Sequence, residues 1–105
     1  RISLTRFVQL VSTNPAKIFG LYPQKGIIAV GSDADITVWN PEKEKTILSG
    51  DLHMNVDYSP FEGMKVKGWP DATVSRGKLI WDGKEFLGEA GWGRFVRRKT
   101  RYRLS

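Results

Sequence analysis

The chain contains no cysteine and a single histidine among its 105 residues. The first absence excludes a disulfide framework and any thiolate metal site. The second works against a hydrolytic zinc centre, which takes three protein ligands and leaves one position open. A cysteine-free chain also fits a reducing, cytoplasmic compartment. No apolar run approaches the roughly 20 residues that a membrane-spanning helix needs, so no membrane role is expected. The first residues do not read as a signal peptide, because the charged Arg6 interrupts the apolar positions. Arg1 stands where an initiating Met would, and the chain is therefore read as a shortened product or a piece of something longer.

An acidic excess is also missing. Formal net charge is +6, but residues 1–93 hold 11 Lys and Arg against 11 Asp and Glu. The whole excess lies in the tail GRFVRRKTRYRLS, as Arg94, Arg97, Arg98, Lys99, Arg101 and Arg103. The high isoelectric point thus describes a tail and not a domain surface. What remains is ordinary for one domain with one modest core: 40% hydrophobic residues, with four Trp, three Tyr and five Phe.

In ISLTRFVQLVST, Leu4, Phe7, Val8 and Val11 recur at helical spacing, with Ser3 as N-cap. Thr13-Asn14-Pro15 is expected to end that helix, since proline disfavours helical geometry in the residue before it. NPAKIFG then predicts a second short helix, capped by Asn14, with Pro15 at its first position and Gly20 as its left-handed exit. Beyond Gly20 the period changes. Residues 27–30 and 35–39 read as short strands joined by a Gly-Ser turn, the second stopped by Asn40-Pro41. Residues 46–48 make a weak third. Residues 49–71 read as a long irregular excursion, uncommon in a compact domain and often functional. Residues 72–76 and 78–81 are better strands, separated by Gly77, and Asp82-Gly83 turns tightly into residues 84–87. About five short strands with two helices ahead of them do not make a closed sheet. Their edges need partners, and the simplest source is another segment or another chain.

Asp33 and Asp35, in GSDAD, raise a choice between a catalytic dyad and a turn. Aspartates beside Gly and Ser bond to nearby backbone N–H groups, so the turn is the expected reading. In HMNVDY an extended backbone would put His53, Asn55 and Asp57 on one side. His with Asp can ligate a metal, but the ligand count favours a hydrogen-bonded loop histidine. No serine has a histidine nearby in sequence. GEAGWG has the glycines of a phosphate loop without its Lys-Ser/Thr ending. The tail interleaves arginines with Phe95 and Tyr102, which could grip phosphates and stack on bases. A tail docked on a partner is the commoner use, and nucleic acid is not the expected ligand. Composition and spacing therefore supply no catalytic and no metal-binding residue.

STNPAKIFGLYPQKGIIAVGSDADITVWNP resembles the amidohydrolase superfamily near its C-terminus: Asn-Pro-Ala-Lys, an apolar pair, Gly-Leu, Lys-Gly, then Gly-x-Asp-Ala-Asp between apolar runs. HMNVDYSPFEGMKVKGWP, SRGKLIWDGKEF and GWGRFVRRK narrow the likeness to the dihydropyrimidinase and D-hydantoinase group. They argue against dihydroorotase and allantoinase. The likeness runs from about Ser3 to Lys99, and TRYRLS departs from the family ending. It implies an α+β fragment: short helices at the end of a β/α barrel, then strands of an incomplete small β-sandwich. Residues 1–25 would be the barrel helices, 26–93 the sandwich portion with its long loop 49–71, and 94–105 a basic tail. The parent implied is a hydrolase that opens cyclic amides, hydantoins or dihydropyrimidines, at a ring C–N bond. It would use two divalent metals, usually zinc, whose ligands lie upstream of Arg1. His53 and Asp57 match a family motif that is not a ligand motif. The non-catalytic collapsin response mediator proteins share this fold, and the ligands that would separate them lie upstream too. The implied role of the segment is structural, within a homo-oligomer, with Phe95, Val96, Arg97 and Arg98 docking on a neighbouring surface. The alternative is a stand-alone interaction module whose basic tail binds nucleic acid.

Overall fold

Ser3 begins the first helix as expected: its backbone is extended and its hydroxyl accepts the N–H of Arg6 at 3.2 Å. In the computed structural model, which describes residues 1–99, helix α1 (Leu4–Val8) runs without a break through a wide π-helical turn (Gln9–Thr13) into α2 (Asn14–Ile18). The expected stop at Asn14-Pro15 does not occur, and Asn14 is no cap, since its φ and ψ are −66° and −45°. The physical reason lies in Pro15. Within a regular helix it would lack one N–H bond and press on the carbonyl of Val11. The wide turn just before it, in which the Asn14 N–H reaches the Gln9 carbonyl, makes room without ending the helix. Gly20 supplies the exit with φ of +72°. The Leu21 N–H returns to the Ala16 carbonyl at 2.8 Å and the Gly20 N–H to that of Lys17 at 3.2 Å, which is a Schellman closure.

Among the described residues three strands form one antiparallel sheet in the order β1-β2-β3: Ile36–Thr46, Lys65–Ser75 and Lys78–Trp81. Several expected boundaries move. Residues 27–30 form no strand; a bend at Ile27 leads through irregular backbone into a turn at Val30, with Ile28 84% exposed. The reason is pairing, because β1 spends its ladder on β2 and no partner strand reaches residues 27–30 among the described residues. β1 also continues past Asn40-Pro41, absorbing Pro41 in a register shift between Asn40 and Glu44 opposite Gly68, whose φ is +97°. It takes in Thr46, so there is no separate third strand at residues 46–48. Lys65–Ser75 claims the end of the expected excursion, leaving residues 49–64 irregular apart from a 3₁₀ turn at Ser49–Asp51. Pro70 in the middle strand is tolerated because another register shift falls beside it, between Val38 and Trp39. The β2–β3 hairpin turns on Arg76 and Gly77, with φ of +45° and +82°, the pair of positive angles a tight hairpin needs. Past β3, Asp82 accepts the N–H groups of Lys84 and Glu85, both at 2.8 Å, and the last expected strand shrinks to a bridge between Trp81 and Phe86.

The core is almost absent. Among the described residues only Ala16 is a buried hydrophobic side chain, at 6% exposure, and only Ser59 a buried polar one. The chain's accessible surface is 8886 Å², against about 5,900 Å² for a compact monomer of this mass. Its radius of gyration is 16.0 Å, against about 13 Å for a compact domain of this length. Neither helix packs against a strand. The ion pairs that β1 makes with β2 and with the 3₁₀ turn, Lys43–Asp71 at 3.5 Å, Lys67–Glu42 at 2.7 Å and Lys45–Asp51 at 3.2 Å, lie at the surface, where each contributes about 0–1 kcal/mol.

Candidate functional site: a carboxylate knot and a basic arm

Asp33 and Asp35 come together around one ammonium group. Lys25 Nζ lies 2.9 Å from Asp33 Oδ2 and also pairs with Asp35 Oδ2. Gln24 Nε2 donates to Asp33 Oδ2 at 3.0 Å, and the Asp33 N–H donates to the Gln24 carbonyl at 2.9 Å. The remaining oxygen of Asp35, Oδ1, accepts the N–H of Arg76 at 2.9 Å, and the Gly77 N–H reaches the Ala34 carbonyl at 3.0 Å. The two aspartates thus tie the turn after α2 to the tip of the β2–β3 hairpin. Hydrogen bonds from Lys25 and then Gln24 hold the Asp33 carboxyl below the usual carboxylate range. Burial pulls the Lys25 ammonium down, but the hydrogen bonds to Asp35 and Asp33 outweigh it, so Lys25 sits above the usual lysine range. Asp33 is thereby held in its charged form, and one ammonium group bridges the two side chains. The turn expected of GSDAD is present, fastened by a lysine.

His53 lies in the irregular loop, its ring 5.6 Å from that of Trp81 in an edge-on arrangement and 5.5 Å from that of Phe86. It pins the loop to the β3 end of the sheet. Among the described residues no group of three or more His, Cys, Asp or Glu is placed to hold a metal ion.

The glycine-rich link is anchored by Trp92. Its indole N–H donates to the Ser75 carbonyl at 3.2 Å and lies 3.3 Å from Ser75 Oγ. The Arg76 guanidinium stacks on its ring at 4.3 Å and bonds its carbonyl, and Lys78 Nζ stands 5.0 Å from the ring while pairing with Glu89 at 2.7 Å. From there the arm crosses to the helix end, where the Lys99 N–H donates to the Gly20 carbonyl at 2.8 Å. Phe95 is 90% exposed, and Arg97 and Arg98 are exposed beside a half-buried Val96. Arg101, Tyr102 and Arg103 lie outside the described residues. Sequence reasoning passed over Lys25, Arg76 and Trp92. Lys25 had a signal, since Lys-Gly and Gly-x-Asp-Ala-Asp belong to one motif. Arg76 and Trp92 had only the tight turn and the tryptophan amid glycines.

The family model described as "Amidohydrolase family" matches residues 1–80. The chain is 54% identical over 99 residues to a D-hydantoinase of Ralstonia pickettii, covering 94% of this chain and 22% of that protein. It is 50% identical over 99 residues to a D-hydantoinase of Rhizobium radiobacter, with the same two coverages of 94% and 22%. The crystal structure of dihydropyrimidinase from Brevibacillus agri NCHU1002 superposes with a TM-score of 0.92 at 53% identity, over 97% of this chain and 22% of that one. The chain thus spans about a fifth of the length of the curated relatives it matches.

Proposed function

Because this chain belongs to the amidohydrolase family, we propose that it is the C-terminal portion of a metal-dependent hydrolase that opens hydantoins or dihydropyrimidines at a ring C–N bond. The portion's own role is structural. The observation that carries this reading is the nearly missing core: among the described residues, one buried apolar side chain against many exposed Leu, Ile, Val and Phe. Such surfaces are covered in a finished protein. In this reading residues 1–25 close the catalytic barrel and residues 26–93 complete a small β-sandwich. Exposed apolar residues at 27–30 would then pair with strands from the rest of the parent.

The residues present do not fit a two-metal centre, with one His, no Cys and no ligand cluster among those described. No step of the hydrolysis is therefore assigned to this chain, and the metals, with zinc as the expected pair, belong to the parent. Phe95, Val96, Arg97 and Arg98 are the contact to a neighbouring subunit in a cytoplasmic homo-oligomer. The exposed Phe95 supports that role, since an apolar ring adds nothing to a purely electrostatic arm.

The test is to express the reading frame extended upstream beside residues 1–105 alone, and to follow ring opening of hydantoin and dihydrouracil. The extended product should turn over substrate in a chelator-sensitive way, and the short chain should not. Turnover by the short chain, or an extended product that carries the upstream His-x-His strand and stays inert, would sink the reading.

A further inference from the structure

The helices and the sheet do not pack on one another, yet polar fastenings join them in a closed ring. Thr13 Oγ1 donates to the Gly26 carbonyl at 2.8 Å, tying helix to turn. Lys25 ties the turn to Asp33 and Asp35, and Asp35 holds the Arg76 N–H. Arg76 holds Trp92 through its guanidinium, and the arm beyond Trp92 returns to Gly20 through Lys99. Arg76 is the one described non-glycine residue with a positive φ, +45°. An arginine adopts that conformation at a cost, and here both its backbone and its side chain have partners that offset it.

We propose that Lys25, Asp33, Asp35 and Arg76 form a charge-operated clasp for the C-terminal arm: the bridged carboxylates fix the Arg76 backbone, and Arg76 fixes Trp92. Removing the Lys25 charge leaves two carboxylates facing each other. Asp35 then leaves the Arg76 N–H, and the guanidinium loses its aim at Trp92. Acid loosens the same clasp by protonating Asp33, which removes one of the two carboxylates that hold Lys25. Among the described residues, the charged groups facing the clasp are Lys25, Asp33, Asp35 and Arg76, with neutral Gln24 beside Asp33; Lys99 of the arm lines the same cleft as Asp33, and Lys78 and Glu89 flank the arm side. Arg76 is a positioning residue.

The test compares the Lys25→Met and Lys25→Arg variants with the unaltered protein by hydrogen exchange and ¹⁵N NMR. In Lys25→Met the Arg76 amide and the Trp92 indole N–H should both exchange faster, by roughly fivefold or more for the loss of a charge-assisted bond. The Val38 amide of β1 should hold its rate, and Lys25→Arg should stay near the parent. An unchanged Arg76 amide in Lys25→Met overturns the clasp. A faster Arg76 amide beside an unchanged Trp92 indole overturns its coupling to the arm. If Lys25→Met does not fold, acid titration of the unaltered protein decides: a shared midpoint for the Arg76 amide and the Trp92 indole supports the proposal, and independent midpoints overturn it.

Discussion

A Cβ placed on Gly26 would stand 2.5 Å from the Cβ of Ala16, the one buried hydrophobic side chain among the described residues. Gly26 has φ of +83° as well, so the turn can sit against the helix only if the residue is glycine. Gly26→Ala should destabilise the protein by about 1–3 kcal/mol, from overpacking plus the left-handed backbone. Thermal melting checks this. An unchanged midpoint would show that the turn is not seated on the helix.

Gly20 makes the same demand at the other fastening. A Cβ there would meet the Lys99 carbonyl oxygen at 2.6 Å, on a φ of +72°. Gly20→Ala should push the arm off the helix end. Trypsin should then cut after Arg94, Arg97 and Arg98 faster than in the unaltered chain, while cleavage after Lys78 within β3 keeps its rate.

The pH response follows from three groups. Asp33 and Asp82 are held below the ordinary 3.8, Asp33 by Lys25 and Gln24, Asp82 by the backbone N–H groups of Glu85 and Lys84. Their contribution is present above the unfolded value and is lost as pH falls through the lower folded value. Lys25 is held above the ordinary 10.5. Its contribution is full below that value and is lost as pH rises through the folded one. Stability from these groups should form a plateau between the two ranges and fall below pH 3.8 and above pH 10.5. Melting across pH 2–12 checks it, and in Lys25→Met the alkaline fall should shrink.

Residues 1–105 alone should self-associate, because so much apolar surface is left uncovered. Deleting residues 94–105 should weaken that association in light scattering. If the deletion leaves association intact and instead abolishes tight single-stranded RNA binding near physiological salt, the arm is a nucleic-acid arm.

His53 should be worth about 0.5–1.5 kcal/mol through its two ring contacts. His53→Ala should lower the melting temperature modestly and speed proteolysis within residues 49–64. The same loss from His53→Phe would point to a polar role the ring contacts do not describe.

Local chemistry was the most legible part of the sequence. Ser3 as a cap, Gly20 as a helix exit, Gly77 as the break between two strands and Asp82-Gly83 as a tight turn each follow from what one residue can do with its own backbone. The misreadings share a different cause. Pro15 and Pro41 look like stops when judged alone, yet a wide helical turn absorbs one and a strand irregularity the other. Residues 27–30 have strand composition, but a strand needs a neighbour, and composition cannot say whether the neighbour is on the same chain. Asp33 and Asp35 are turn residues, as their neighbours Gly31 and Ser32 imply. Their hold on Arg76 was not readable, because it links segments that only the folded hairpin brings together.

Pro41 has a further effect through its place on β1, which lies at the border of the sheet. A border strand offers its unused N–H and C=O groups to any extended peptide that drifts past. Pro41 has no N–H to offer, and the register shift bends the strand beside charged Glu42, Lys43 and Glu44. The border is thereby cut into two short stretches, neither long enough for an extensive foreign ladder. Pro41 thus limits how far a foreign strand can extend along this border.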